Sequence, residues 1–127
     1  MKVNTPSDDR ATGSRKSVPP ADRVLLPSAT ADAIDLLSRR WMLQLLYVLC
    51  QGEARFSELA RAVPGLSRRV LTDRLRELAD QGLVHRLVDE GPPTRISYRL
   101  TDQGAALRTA LEHIGSWAAT YRPTRAS

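Results

Sequence analysis

The chain has one cysteine and one phenylalanine among 127 residues, and after Lys16 it has no lysine at all. A lone Cys50 builds no intramolecular disulfide framework, which fits a reducing compartment. At the end of an apolar helical stretch it reads as a small core residue. His85 and His113 are far apart in sequence and neither stands at metal-ligand spacing from Cys50, so no metal and no cofactor are expected. No stretch approaches the ~18 to 20 continuous apolar residues of a membrane span, and MKVNTPSDDRATGSRKSVPP lacks a signal peptide's apolar middle. The expectation is a cytoplasmic protein without membrane contact. Also missing are a glycine-rich phosphate loop, a nucleophile motif and paired acids in a plausible cleft, so no enzyme is expected.

What is present is arginine. Lys and Arg number 19 against 14 Asp and Glu, a net charge of +5, and the sequence pI is about 10.1. A pI above ~9 is a footprint of nucleic-acid binding, though a non-specific one. Beyond residue 27 the balance is 14 basic to 11 acidic groups, so total charge decides little. The all-arginine usage has two readings: a genomic bias toward Arg, or selection for a planar fork that grips guanine or phosphate with two hydrogen bonds.

Residues 1–27 mix four prolines with Ser, Thr, Gly and charge and show no hydrophobic period, the composition of a disordered tail. A single domain is expected over 28–121 and a short tail over 122–127. Ile34, Leu37, Trp41, Leu45 and Val48 recur at steps of three and four, the stripe of one or two helices, with a break at Ser38-Arg39-Arg40 and an end at Gln51-Gly52. Arg55-Phe56 reads as a short strand. Ser57 is placed to cap a brief helix to Val63, with Glu58 in its first turn. Pro64-Gly65 then turns the chain, Ser67 caps a helix to Gln81, and Gly82 stops it.

Helix, tight turn, helix is the helix-turn-helix pattern. In its second helix Leu71, Leu75 and Leu78 share one arc with Ser67, and Arg69, Thr72, Asp73 and Arg76 lie opposite. After Gly82, two strands around Asp89 to Pro93 make a hairpin, and Ile96, Tyr98 and Leu100 alternate with Arg95, Ser97 and Arg99. Beside a helix-turn-helix this hairpin is a wing, whose Arg86, Arg95 and Arg99 can reach phosphates. Thr101 caps a last helix with Asp102 in its first turn. Leu107, Leu111, Ile114, Ala118 and Tyr121 advance along it as a heptad-like seam. A dimer interface and packing within the domain both explain such a seam.

The stretch from Ala33 to Gly104 resembles the HxlR-type winged helix-turn-helix regulators of bacteria. The shared features are Trp41 opening the second helix, the RFSEL run from Arg55 to Leu59, the Pro64-Gly65 turn before Ser67, the LTDRLRELADQGLV block and the YRLTDQG block. The similarity spans roughly Ser28 to Tyr121. It implies a mostly α fold with a small β-hairpin, dimerising through the N- and C-terminal helices. It also implies a transcriptional regulator with two recognition helices in successive major grooves of double-stranded DNA. Three positions depart from the pattern: Ser38-Arg39-Arg40 stands where members often have Gly-Gly-Lys, Ser28 stands where oxidant-sensing members often have Cys, and Asp73 stands where Gln is common.

On that resemblance Ser67, Arg68, Arg69, Thr72, Asp73 and Arg76 are the candidate recognition-helix contacts. Asp73 either accepts from a cytosine amino group or orients Arg69 one turn earlier. Ile34, Leu37, Trp41, Leu107, Leu111, Ile114, Ala118 and Tyr121 are the candidate dimer residues. Trp41, Tyr47, Trp117 and Tyr121 either pack in the core or line a pocket for a small-molecule effector. A winged helix that serves as a protein-interaction module, its arginines meeting an acidic partner, is the competing function.

Overall fold

A computed structural model of the chain describes residues 17–23 and 25–123. The chain divides into two units, Met1–Ala33 and Ile34–Ser127. In the first, Pro20–Asp22 forms one turn of 3-10 helix, and Arg23 Nε donates to the Val18 carbonyl at 2.9 Å. Of the expected tails, residues 1–16, 24 and 124–127 lie outside the described residues. The division falls inside α1 (Ser28–Leu37).

The second unit continues with α2 (Met42–Leu49), β1 (Ala54–Arg55), α3 (Phe56–Ala62), α4 (Arg68–Asp80), β2 (Val84–Asp89), β3 (Arg95–Leu100), α5 (Asp102–Ala105) and α6 (Arg108–Tyr121). Among the described residues no helix is long and apolar enough to cross a membrane. The expected hairpin is β2–β3, and β1 joins the other edge of β3 to give the antiparallel order β1-β3-β2. This first strand sits one residue earlier than expected, because Phe56 already belongs to α3. Ser57 is accordingly not the cap. The Glu58 carboxylate reaches back three residues and accepts the Arg55 backbone N–H at 2.7 Å, which starts the helix at Phe56.

Helix α2 buries Met42, Leu45, Leu46 and Leu49, the i, i+3, i+4, i+7 positions of one face. The buried face is thus rotated from the expected stripe, leaving Trp41 and Val48 half-buried and Tyr47 exposed. Leu59 of α3 and Leu71, Leu75 and Leu78 of α4 complete a core of fully buried large side chains. At roughly 1.5 to 3 kcal/mol for each such residue, this leucine cluster outweighs every polar contact in the fold. Cys50 packs against the core from its edge, only half-buried, and its carbonyl accepts from Arg108 Nη2 at 3.2 Å.

The link Ser38–Trp41 is tied to α4. Arg39 Nε lies 3.0 Å from Glu77 Oε2, Arg74 Nη1 lies 3.9 Å from Glu77 Oε1, and Arg74 Nε donates to the Arg40 carbonyl at 2.8 Å. Trp41 ends the link at φ +80°, a left-handed conformation costly for a large side chain. The Arg40 guanidinium lies 4.6 Å from the centre of the Trp41 ring.

The expected long terminal helix is two helices. Thr101 Oγ1 accepts from Gly104 N at 3.1 Å, capping α5 as expected, and also donates to the Gly82 carbonyl at 2.6 Å. Leu107 N then bonds three residues back to Gly104 O at 3.0 Å, a tightened turn that separates α5 from α6. Gly104 is buried because α5 lies directly on the backbone of Leu83, whose carbonyl occupies the place of any Cβ at position 104. Gly104→Ala is therefore expected to force α5 away from the Leu83 backbone and to lower stability by roughly 1 to 3 kcal/mol in chemical denaturation, as overpacking does.

Candidate nucleic-acid interface

The site begins with a turn. Val63 leaves α3 in extended conformation, Pro64 follows, and Gly65 takes φ +87°, a conformation glycine adopts without steric cost. The far edge of the Trp41 ring is 3.6 Å from where a Cβ at Gly65 would stand. Ser67 then caps α4, its Oγ accepting from Val70 N at 3.1 Å. The Ser67 hydroxyl, a candidate contact, is thus already engaged within its own helix.

With the leucine arc inward, Arg68, Arg69, Thr72, Asp73 and Arg76 are all exposed. The Arg68 guanidinium rests over the Phe56 ring at 4.8 Å, a cation–π contact that fixes a long side chain before any partner arrives. Thr72 Oγ1 donates to the Arg68 carbonyl at 2.9 Å. Among the described residues Arg69 pairs with no carboxylate. Asp73 faces Arg76 at 3.8 Å and not Arg69, which corrects the second of its two expected uses, the orienting of Arg69. An acid placed N-terminal to its basic partner agrees with the helix dipole, whereas the pairing back to Arg69 opposes it. Both partners are more than half exposed, so the pair is weak and can be exchanged for another contact.

Register separates the wing arginines. Arg86 lies opposite Tyr98, Arg99 opposite His85 and Arg95 opposite Asp89. Directly opposed residues share a sheet face, so Arg86 joins the buried Tyr98 on the inner side while Arg95 and Arg99 point outward. Arg86 lines a cleft of about 540 Å³ with Arg76, Thr72 and Phe56, between α4 and the sheet. Arg95 borders a polar recess with Glu53, Glu58 and Asp89, where Ser97 Oγ donates to Glu53 at 2.6 Å.

A second, apolar cleft of about 550 Å³ opens between α2, the 62–64 turn and α6, walled by Trp41, Tyr47, Leu111, Ile114, Gly115 and Ala118. Trp117 and Tyr121, also expected around such a pocket, do not line it. They face each other at 6.3 Å along the outer edge of α6, 52% and 71% exposed. The candidate dimer residues divide likewise. Leu111 is 5% exposed and belongs to the core of its own domain, Leu37, Trp41 and Leu107 pack against that core, and Ile34, Ile114 and Tyr121 stand outside it.

Sequence reading missed the Phe56 shelf under Arg68 and the Arg39–Glu77–Arg74 group. Only the i, i+3 spacing of Arg74 and Glu77 signals the latter, since its other partner lies on a distant segment. Because Ser67 is the side chain that satisfies the first turn of α4, Ser67→Ala is expected to cost about 1 kcal/mol. Thermal melting measures this, and Ser67→Asp should recover it.

Comparison with known proteins returns one consistent picture. The HxlR-like helix-turn-helix family model matches residues 36–126. YvaP of Bacillus subtilis (strain 168), an uncharacterized HTH-type transcriptional regulator, is 46% identical over 89 residues, 70% of this chain and 82% of the relative. The reduced form of the transcriptional regulator YodB from B. subtilis superimposes with a TM-score of 0.68 at 30% identity, covering 80% of this chain and 100% of that one. Its quinone-bound form does so at 0.65 and 30%, covering 75% and 99%. The redox regulator HypR in its oxidized form gives 0.70 at 31% identity, covering 76% and 99%.

Proposed function

Since the chain belongs to the HxlR-like helix-turn-helix family of DNA-binding transcriptional regulators, we propose that it acts as a homodimer, setting two copies of α4 into successive major grooves of an inverted-repeat operator. The observation that carries this reading is the division of α4: Leu71, Leu75 and Leu78 are at most 1% exposed, and the side chains opposite them are the arginine and threonine types that read base edges. The outward apolar side chains Ile34, Ile114, Trp117 and Tyr121 supply the dimer contact. The reading gives the chain no catalytic step and places it in the cytoplasm with the DNA it binds.

An effector site also belongs to the proposal. The apolar cleft has the volume of a small-molecule pocket, and it reaches the turn before α4 through Val63 and Pro64. Ser28 stands at the position where oxidant-sensing members carry Cys, so the reading relies on reversible seating in the cleft and not on a thiol there.

Light scattering on the purified protein should give a dimer without DNA, and site selection from genomic fragments should return a two-fold symmetric operator. Half-sites are expected about one helical turn, or a multiple of it, apart. A monomer, or a best site without symmetry, contradicts the proposal. A protein-interaction module would show no preferred sequence at moderate salt.

Individual arginines separate reading from gripping. Arg69→Ala should lose roughly 1 to 3 kcal/mol on the operator and far less on scrambled duplex, the worth of one bidentate base contact. Arg99→Ala should weaken both duplexes by similar factors and make the salt dependence shallower by about one phosphate. Arg95→Ala should do less, because Asp89 opposes it in the ladder. Equal losses on both duplexes for Arg69→Ala would remove that residue from the reading face.

A further inference from the structure

We propose that the link Ser38–Trp41 is a second DNA-backbone contact, in which Arg39 and Arg40 hold phosphates on the flank of α4 that faces away from the wing. This rests on the assignment of α4 as the recognition helix. The inference follows from what lies on either side of that helix.

At about 100° per residue from Leu71, Thr72 and Arg76 turn toward one flank of α4, and Arg74 and Glu77 turn toward the other. The first flank looks into the wing cleft, where Arg86 waits on the inner sheet face. The second flank carries the link. Arg39 Nε lies 3.0 Å from Glu77 Oε2, and the Arg40 carbonyl is held by Arg74 Nε at 2.8 Å. The link is therefore fixed against the helix by the same residues that define its flank.

A helix with its side chains is about 10 to 12 Å across and the major groove is about 12 Å wide, so a helix seated there has a phosphate backbone on each side. The wing serves one side. On the other, the link supplies Arg39 and Arg40, whose side chains project from an exposed segment. Their charge is only partly offset: Arg39 and Arg74 share the one carboxylate of Glu77, and among the described residues the Arg40 guanidinium pairs with no carboxylate. The Arg39 side chain keeps 56% of its surface in solvent while paired, so a phosphate can share or replace the carboxylate. Arg40 touches the Trp41 ring at 4.6 Å, which orients the guanidinium without consuming its hydrogen bonds. Glu77 is in this scheme a positioning residue, holding the link at the height of the groove wall.

The test is the salt dependence of binding by Arg40→Ala and Arg39→Ala to the selected operator and to a scrambled duplex of equal length. One lost phosphate contact lowers the slope of log K against log salt by about 0.9. The fall in affinity between about 50 and 200 mM salt should then be about 3.5-fold smaller than for the unaltered protein, equally on both duplexes. Among the described residues the Arg40 side chain makes no hydrogen bond, so Arg40→Ala removes only its packing on Trp41, and an unchanged dimer with a melting temperature close to that of the unaltered protein shows that the fold survives the change. Glu77→Gln, which keeps both arginines, should keep the slope and weaken the operator more than the scrambled duplex, because the contact survives but is misplaced. An operator bound with the unaltered slope by both arginine variants overturns this inference and leaves the regulator reading standing. Absence of sequence-preferring binding by the unaltered protein overturns both.

Discussion

Leu71, Leu75 and Leu78 are withdrawn from solvent almost completely, and because they repeat at helical spacing they fix how α4 is turned about its own axis. Rotating the helix by one residue, about 100°, would bring Thr72 or Arg76 into the core at a cost of several kcal/mol of unpaired polar burial. No exposed ion pair among the described residues approaches that. The direction of Arg69 is therefore a consequence of leucine packing, and the same packing sets which side chains meet the wing and which meet the link.

Axial rotation is one constraint, and tilt is another. Ser67 caps the start of α4, Gly82 ends it at φ +78°, and the Arg39–Glu77 and Arg74–Arg40 contacts hold its far side. Thr101 couples the helix end to the terminal helices through the Gly82 carbonyl. A chain with Gly-Gly-Lys at 38–40 would lack an arginine at position 39 to reach Glu77. Two glycines there would make the link pliant, whereas Ser38-Arg39-Arg40 is fastened to α4.

Elements governed by short-range chemistry were legible in the sequence. The leucine period, the Ser67 and Thr101 caps, the glycine stop and the alternating strand all fall where a few neighbouring residues decide the outcome. The start of α3 was misplaced because Arg55, an unpromising cap, is served by the Glu58 carboxylate, and side-chain reach of this kind competes with propensity. The break after α5 was hidden because the tightened turn from Leu107 N to Gly104 O leaves the three- and four-residue apolar spacing running on across it. The site divides along the same line. Which face of α4 looks outward follows from its own period, but whether Arg86 sits inside or outside the wing depends on strand register, and the partner of Glu77 lies 38 residues upstream. Trp117 belongs to the right helix and the wrong face, since its spacing from Leu111 carries it away from the cleft, whereas Tyr121 shares the seam of Leu111 and Ile114 but lies past Ala118, the last residue of α6 to wall the cleft.

Trp41 makes one more property of the fold available. Its indole is held in an uncommon backbone conformation between the Arg40 guanidinium, the turn at Gly65 and the apolar cleft. The other tryptophan, Trp117, is about half exposed on the outer edge of α6, on the face assigned to the dimer contact. The two fluorophores therefore report on different parts of the molecule, and in a chain carrying Trp117→Phe the remaining tryptophan emission follows the link, the turn and the cleft they border. Movement of the segment that leads into α4 would be visible optically without any label.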